Sequence, residues 1–175
     1  MLALRYNETV VRRVSLKCRQ VEPLAAQLRL ENVLQTVELH PAWLSPSAIV
    51  CVRRLHDPLP HTLDLQDHTA SRTSAWRKAL SVTVEEKIKC AARPANGEYE
   101  ADAVIFQDQA ELLASLASDS CEGMVESRWW WRTLFKNGNF TVFATWARSP
   151  EYVPAVLELL ARKSQLRHFV RTLSV

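Results

Sequence analysis

The run RWWWR, residues 128 to 132, restricts the fold more than any other stretch of this chain. Three consecutive tryptophans cannot all point the same way on a helix or a strand. Each carries about 150–250 Å² of contact surface, so each ring needs somewhere to go. On a helix from about residue 124 to 135, at about 100° per residue, Met124, Trp130, Trp131, Leu134 and Phe135 share one arc. Trp129 and Val125 fall on the other side, and Glu126, Arg128 and Arg132 fill the gaps. One reading buries this helix on both sides, with its arginines stacked on rings. The other makes Trp129, with Arg128, Arg132 and Val125, an anchor on a partner-binding surface, since Trp and Arg are enriched at interface hot spots. Stacking of Trp129 on a nucleic-acid base is a third.

Composition narrows the fold class. The chain has 175 residues, of which 47% are hydrophobic and 23% charged, so it can build a real core. Only 3 are Gly, which argues against phosphate-cradling loops and β-propellers. The net charge of +3 permits an acidic partner without demanding nucleic acid. Cys18, Cys51, Cys90 and Cys121 lie far apart with no C-x-x-C pair. They are expected to be reduced, mostly buried thiols in a cytoplasmic protein. No apolar run approaches the ~20 residues that cross a bilayer, and the N-terminus lacks a signal peptide's apolar region.

The expected fold is α+β. Residues 9 to 18 alternate as a half-buried strand with a basic outer face. Residues 21 to 39 predict a helix with Pro23 in its first turn and a stripe of Leu24, Leu28, Leu30, Val33, Leu34 and Val37. Residues 48 to 55 read as a strand, central in its sheet because its first half is continuously apolar. This strand-helix-strand unit occupies residues 1 to 68. A mainly helical region, 69 to 175, is expected to pack with it as one domain. Within that region, a helix spans about 74 to 92 and a further strand 102 to 106. Asp108 and Glu111 form a capping-box-like pair, and Gly123 is a helix stop. Short helical segments follow, with a turn or kink before Pro154.

Candidate chemistry is sparse. His56, Asp57, His61, Asp64, Asp67 and His68 gather in one polar stretch, but no spacing there forces metal ligands to converge. The expectation is a solvated loop, no metal and no cofactor. There is no phosphate-binding loop, nucleophile elbow or zinc-protease motif, and no residue is assigned a catalytic role. The pairs Arg12-Arg13 and Arg53-Arg54 sit on the two expected strands. As sheet neighbours they would form a basic stripe able to bind nucleic acid or an acidic protein; the plainer role is protection of strand edges.

The succession VVRRVSLKC, LAAQLRLENVLQTVELHPAWL and SAIVCVRRLHDPLP resembles the opening of proteins encoded within bacterial contractile injection system clusters. The later AVIFQDQAELLASLASDSCEG and RWWWRTLF resemble the small accessory companions of those clusters. The resemblance implies a non-enzymatic accessory or assembly role with protein partners, and brings no catalytic residue with it. The expected function is therefore a protein-interaction or assembly factor, with a nucleic-acid-binding module as the alternative.

Overall fold

The computed structural model describes residues 9–15, 22–60, 70–135 and 142–173. Helix α1 (Pro23–Gln35) is followed by strand β1 (Ile49–Val52), helix α2 (Ala70–Lys89) and strand β2 (Ala103–Phe106). Helices α3 (Gln109–Cys121), α4 (Trp129–Leu134), α5 (Val142–Trp146), α6 (Val153–Arg162) and α7 (Leu166–Leu173) complete it. The architecture is α+β, with helices dominant.

The first expected strand is absent from residues 9–15, which are irregular and exposed; residues 16–18 lie outside the described residues. The alternation there explains the failure. Arg12 shares a parity with Val10 and Val14, so neither face of such a strand would be wholly apolar. β1 instead pairs antiparallel with β2, in the register Ile49↔Phe106 through Val52↔Ala103. Among the described residues it is one of two strands rather than the centre of a sheet. The other edge of β2 meets Ala92, whose amide donates to Ala103 and whose carbonyl accepts from Ile105, both at 2.9 Å.

Because β1 pairs so far along the chain, each of two compact units draws on two separated stretches of sequence. One comprises residues 9–44 and 54–89; the described residues of the other lie in 45–53 and 90–173.

In the first unit α1 packs on α2. Glu22 caps α1 by accepting from the amides of Leu24 and Ala25 at 3.1 and 2.7 Å, with Pro23 in the first turn. α1 buries Ala26 and Leu30, and α2 buries Trp76, Leu80, Val84 and Ile88, one residue per turn. Leu24 and Leu28, expected in the buried stripe, are exposed. The apolar arc of α1 is wider than the surface available to cover it. Asp57 stabilises its own turn by accepting from the Leu59 amide at 3.0 Å and anchors it to α2 through the Trp76 indole at 2.9 Å.

The second unit is organised around α3, which packs against α5, α6, α7 and β2. Residues 110–117 are all buried, as befits a helix apolar nearly all round. Asp108 caps it, accepting from the Glu111 amide at 2.8 Å. Gly123, at φ 68°, stops it. The Met124 amide bonds back to the Asp119 carbonyl and the Gly123 amide to Ser120, a Schellman closure. The kink expected near Pro154 is a 3₁₀ turn, Pro150–Tyr152, leading directly into α6.

α6 ends in the same closure, with Gln165 bonded to Leu160 and Ser164 to Ala161, both at 2.9 Å. Here the left-handed position belongs to Ser164, at φ 59°. A side chain in that conformation costs about 1–2 kcal/mol that glycine avoids, partly offset by glycine's greater freedom when unfolded. Ser164→Gly is therefore expected to raise the unfolding free energy by about 0.5–1 kcal/mol, measured by urea denaturation. A lower midpoint would show that the turn is unstrained.

Candidate functional site

The tryptophan run is shorter as a helix than its periodicity predicts. After Gly123 the chain turns, with the Ser127 hydroxyl and amide both bonded to the Met124 carbonyl at 2.7 and 3.1 Å. α4 starts only at Trp129, so Val125 is not on it. All three rings lie against one interior. Trp130 and Trp131 are fully buried and Trp129 is half-buried against the same core. Trp129 meets Trp130 edge-on at 5.8 Å, and Trp130 meets Trp131 at 6.2 Å. The Trp129 indole donates to the Ala101 carbonyl at 3.2 Å. The expectation that Trp129 faces away from its neighbours is thus corrected: a one-turn start leaves its ring free to fold back onto the 99–101 segment. Val125 is half-buried against the same core.

Arg128 is also drawn inward. Its guanidinium lies 3.7 Å from the centre of the Tyr99 ring. Its Nε is 3.8 Å from Asp119 Oδ1, close enough for charge attraction and too far for a hydrogen bond. Of the four residues expected to meet a partner, Arg132 alone is exposed.

The two arginine pairs do not share a sheet. Arg12 and Arg13 sit in the irregular segment, and Arg53 and Arg54 follow β1; all four are exposed. The Arg53 amide extends the β1–β2 ladder by donating to the Asp102 carbonyl at 2.7 Å. Of the polar stretch, His56 is exposed and Asp57 is engaged as described above. His61, Asp64, Asp67 and His68 lie outside the described residues, and among those described no three His, Cys, Asp or Glu converge as metal ligands. Cys51 is buried, Cys121 half-buried and Cys90 exposed; Cys18 lies outside the described residues.

Two features were not anticipated. The first is a polar stripe on α3. Glu111, Ser115 and Asp119 lie one turn apart and are 5%, 7% and 3% exposed. Glu111 does not return to the amide of its capping partner. It accepts from Arg93 Nε at 2.8 Å and Nη2 at 3.0 Å, and from the Gln107 amide at 2.8 Å. Asp119 accepts from the Trp131 indole at 2.7 Å. The stripe borders a cleft walled by the 93–99 turn and by the α6–α7 junction. The spacing 111, 115, 119 is visible in the sequence, but there it reads as an exposed face.

The second feature is Trp43, which is 53% exposed yet held in place. Its indole donates to Glu85 of α2 at 3.1 Å, and Glu85 is paired with Lys89 at 2.9 Å. The Ser81 hydroxyl bonds to the Glu38 carbonyl at 2.6 Å, fixing the segment that leads to Trp43. Lys89, then Trp43, holds the Glu85 carboxyl below the usual range. Val82, also exposed, lies one turn before Glu85. Nothing in HPAWLSP distinguishes this tryptophan from a buried loop anchor.

Burial holds the Asp119 carboxyl above the usual aspartate range, against the opposing effects of the Trp131 indole and the Arg128 charge. A raised carboxyl stabilises the fold while protonated. That contribution is complete below the unfolded value, about pH 4, and is lost as pH rises through the folded one. Asp119→Asn should lack this loss. Its stability relative to the parent is expected to climb with pH above about 4 and then level off, measured by urea unfolding across the acid range. A constant difference would mean that the carboxyl titrates alike in both states.

Comparison of the chain with protein-family models, with curated proteins and with solved structures finds no match.

Proposed function

We propose that this chain is a non-enzymatic protein-interaction or assembly factor whose docking point is Trp43. The observation that carries this reading is a tryptophan more than half exposed, with its indole committed to Glu85. An exposed ring already fixed in one orientation forfeits little side-chain entropy when a partner covers it. Trp is also the residue type most enriched among the few that dominate interface energies. The exposed Val82 extends the apolar surface on α2. Leu24 and Leu28, a turn apart on the solvent face of α1, are further uncovered apolar groups of the same unit.

The resemblance to accessory proteins of contractile injection systems makes the partner a protein of such an assembly. No helix among the described residues is long and apolar enough to cross a membrane. The exposure of Arg12, Arg13, Arg53 and Arg54 favours nucleic acid as the second reading. It requires retention on heparin that falls steeply with salt.

Tagged parent, Trp43→Ala and Trp129→Ala proteins, captured from the native host, test the docking point. Trp43→Ala is expected to lose about 2 kcal/mol of partner affinity, roughly thirtyfold, with little change in Tm. Trp129→Ala should lower Tm. Equal partner recovery by the parent and Trp43→Ala would refute the assignment to Trp43.

A further inference from the structure

Arg12 and Arg13 stand three and two residues before Ser15, in the order Arg-Arg-Val-Ser-Leu. Arg12, Arg13 and Ser15 are all exposed, and residues 9–15 belong to no helix or strand. Val10, Val11 and Val14 are each about half exposed, so burial of side chains does not hold this backbone in place. A protein kinase takes its acceptor as an extended segment, and an acceptor inside a helix or a tight turn must first be unfolded locally. Residues 9–15 can be laid out without breaking any element. At about 3.3 Å per residue, an extended chain puts positions 13 and 12 about 7 and 10 Å from Ser15, on opposite sides. Two guanidinium groups so placed suit a cleft lined with carboxylates, each of which can take one in a bidentate pair.

The structure sets Ser15 apart from the other described serines that have a lysine or arginine two or three residues before them. Ser74 follows Arg72 but lies within α2. Ser81 follows Lys78 in the same helix, and its hydroxyl is committed to the Glu38 carbonyl at 2.6 Å. Ser164 follows Arg162 and Lys163 but holds the left-handed position that closes α6, with its amide bonded to Ala161. We propose that Ser15 is a phosphorylation site for a protein serine kinase that reads basic residues before its acceptor. In the transfer, Ser15 Oγ attacks the γ-phosphorus of ATP, and the bond from that phosphorus to the β–γ bridging oxygen breaks. ADP leaves, and the hydroxyl proton passes to the catalytic aspartate of the kinase. The phosphate brings a charge of about −1.5 to −2 at neutral pH, which cancels most or all of the charge on Arg12 and Arg13. A contact with a polyanion made through that pair is thereby switched off.

The step needs neither the docking role of Trp43 nor nucleic-acid binding, and its failure leaves both readings as they stand. The full chain is incubated with ATP, Mg²⁺ and the catalytic subunit of cAMP-dependent protein kinase, a kinase of this basic-reading class. Intact mass gives the stoichiometry and fragmentation gives the site. One phosphoryl group per chain is expected, on Ser15, and Ser15→Ala should abolish it. Arg12→Ala with Arg13→Ala is expected to lower kcat/KM about hundredfold, roughly tenfold for each charge pair lost. These changes fall in an exposed, irregular segment, so circular dichroism and Tm should match the parent. A kinase that selects carboxylates after the acceptor serves as control and should leave Ser15 unmodified. The absence of phosphate on Ser15 of the folded parent would overturn the proposal. So would phosphate placed alike in the parent and Ser15→Ala, or a rate indifferent to Arg12 and Arg13.

Discussion

The second unit depends on how one helix satisfies its polar groups. α3 is covered by β2, α5, α6 and α7, and residues 110–117 are all buried. An ionised carboxylate left unpaired in such surroundings costs several kcal/mol. Glu111 and Asp119 therefore dictate the placement of what surrounds them. Glu111 receives the Arg93 fork and the Gln107 amide, which fixes the turn after α2 against the start of α3. Asp119 receives the Trp131 indole, which fixes α4 near the other end.

That second bond settles the geometry of the tryptophan run. With Trp131 bound to Asp119 and lying between Phe106 and Phe135, at 5.7 and 6.1 Å, Trp130 is carried into the same core. Its indole nitrogen is buried without a partner, a cost accepted for the area the ring buries. Trp129 then has one polar outlet, the Ala101 carbonyl. Arg128 stacks on Tyr99, so the two cationic neighbours of the run divide: one packs inward and Arg132 remains in solvent. Ser115 lies between the two carboxylates on the same stripe, and all three border the cleft.

The contrast between Trp129 and Trp43 separates structure from recognition. Both indoles are hydrogen-bonded, yet one closes a core and the other caps a surface. Trp129 donates to a backbone carbonyl beneath it, whereas Trp43 donates to a carboxylate on the outer side of α2. Burial, not residue type or flanking charge, decides which of them presents apolar area to a partner.

Local chemistry was legible in the sequence. Pro23 at the start of α1, the Asp108 cap, the Gly123 stop and the turn before α6 all follow from φ preferences and end groups. So does α2, expected as a helix over about 74 to 92 and observed over Ala70–Lys89. These depend on residues a turn or less apart. Tertiary structure alone decided that β1 pairs with β2 and that residues 9–15 form no strand. It alone turned Glu111, Ser115 and Asp119 inward, left Leu24 and Leu28 outside, and buried Trp129 while exposing Trp43. In each of these cases the outcome depends on which distant surface covers the residue, and no local pattern carries that information.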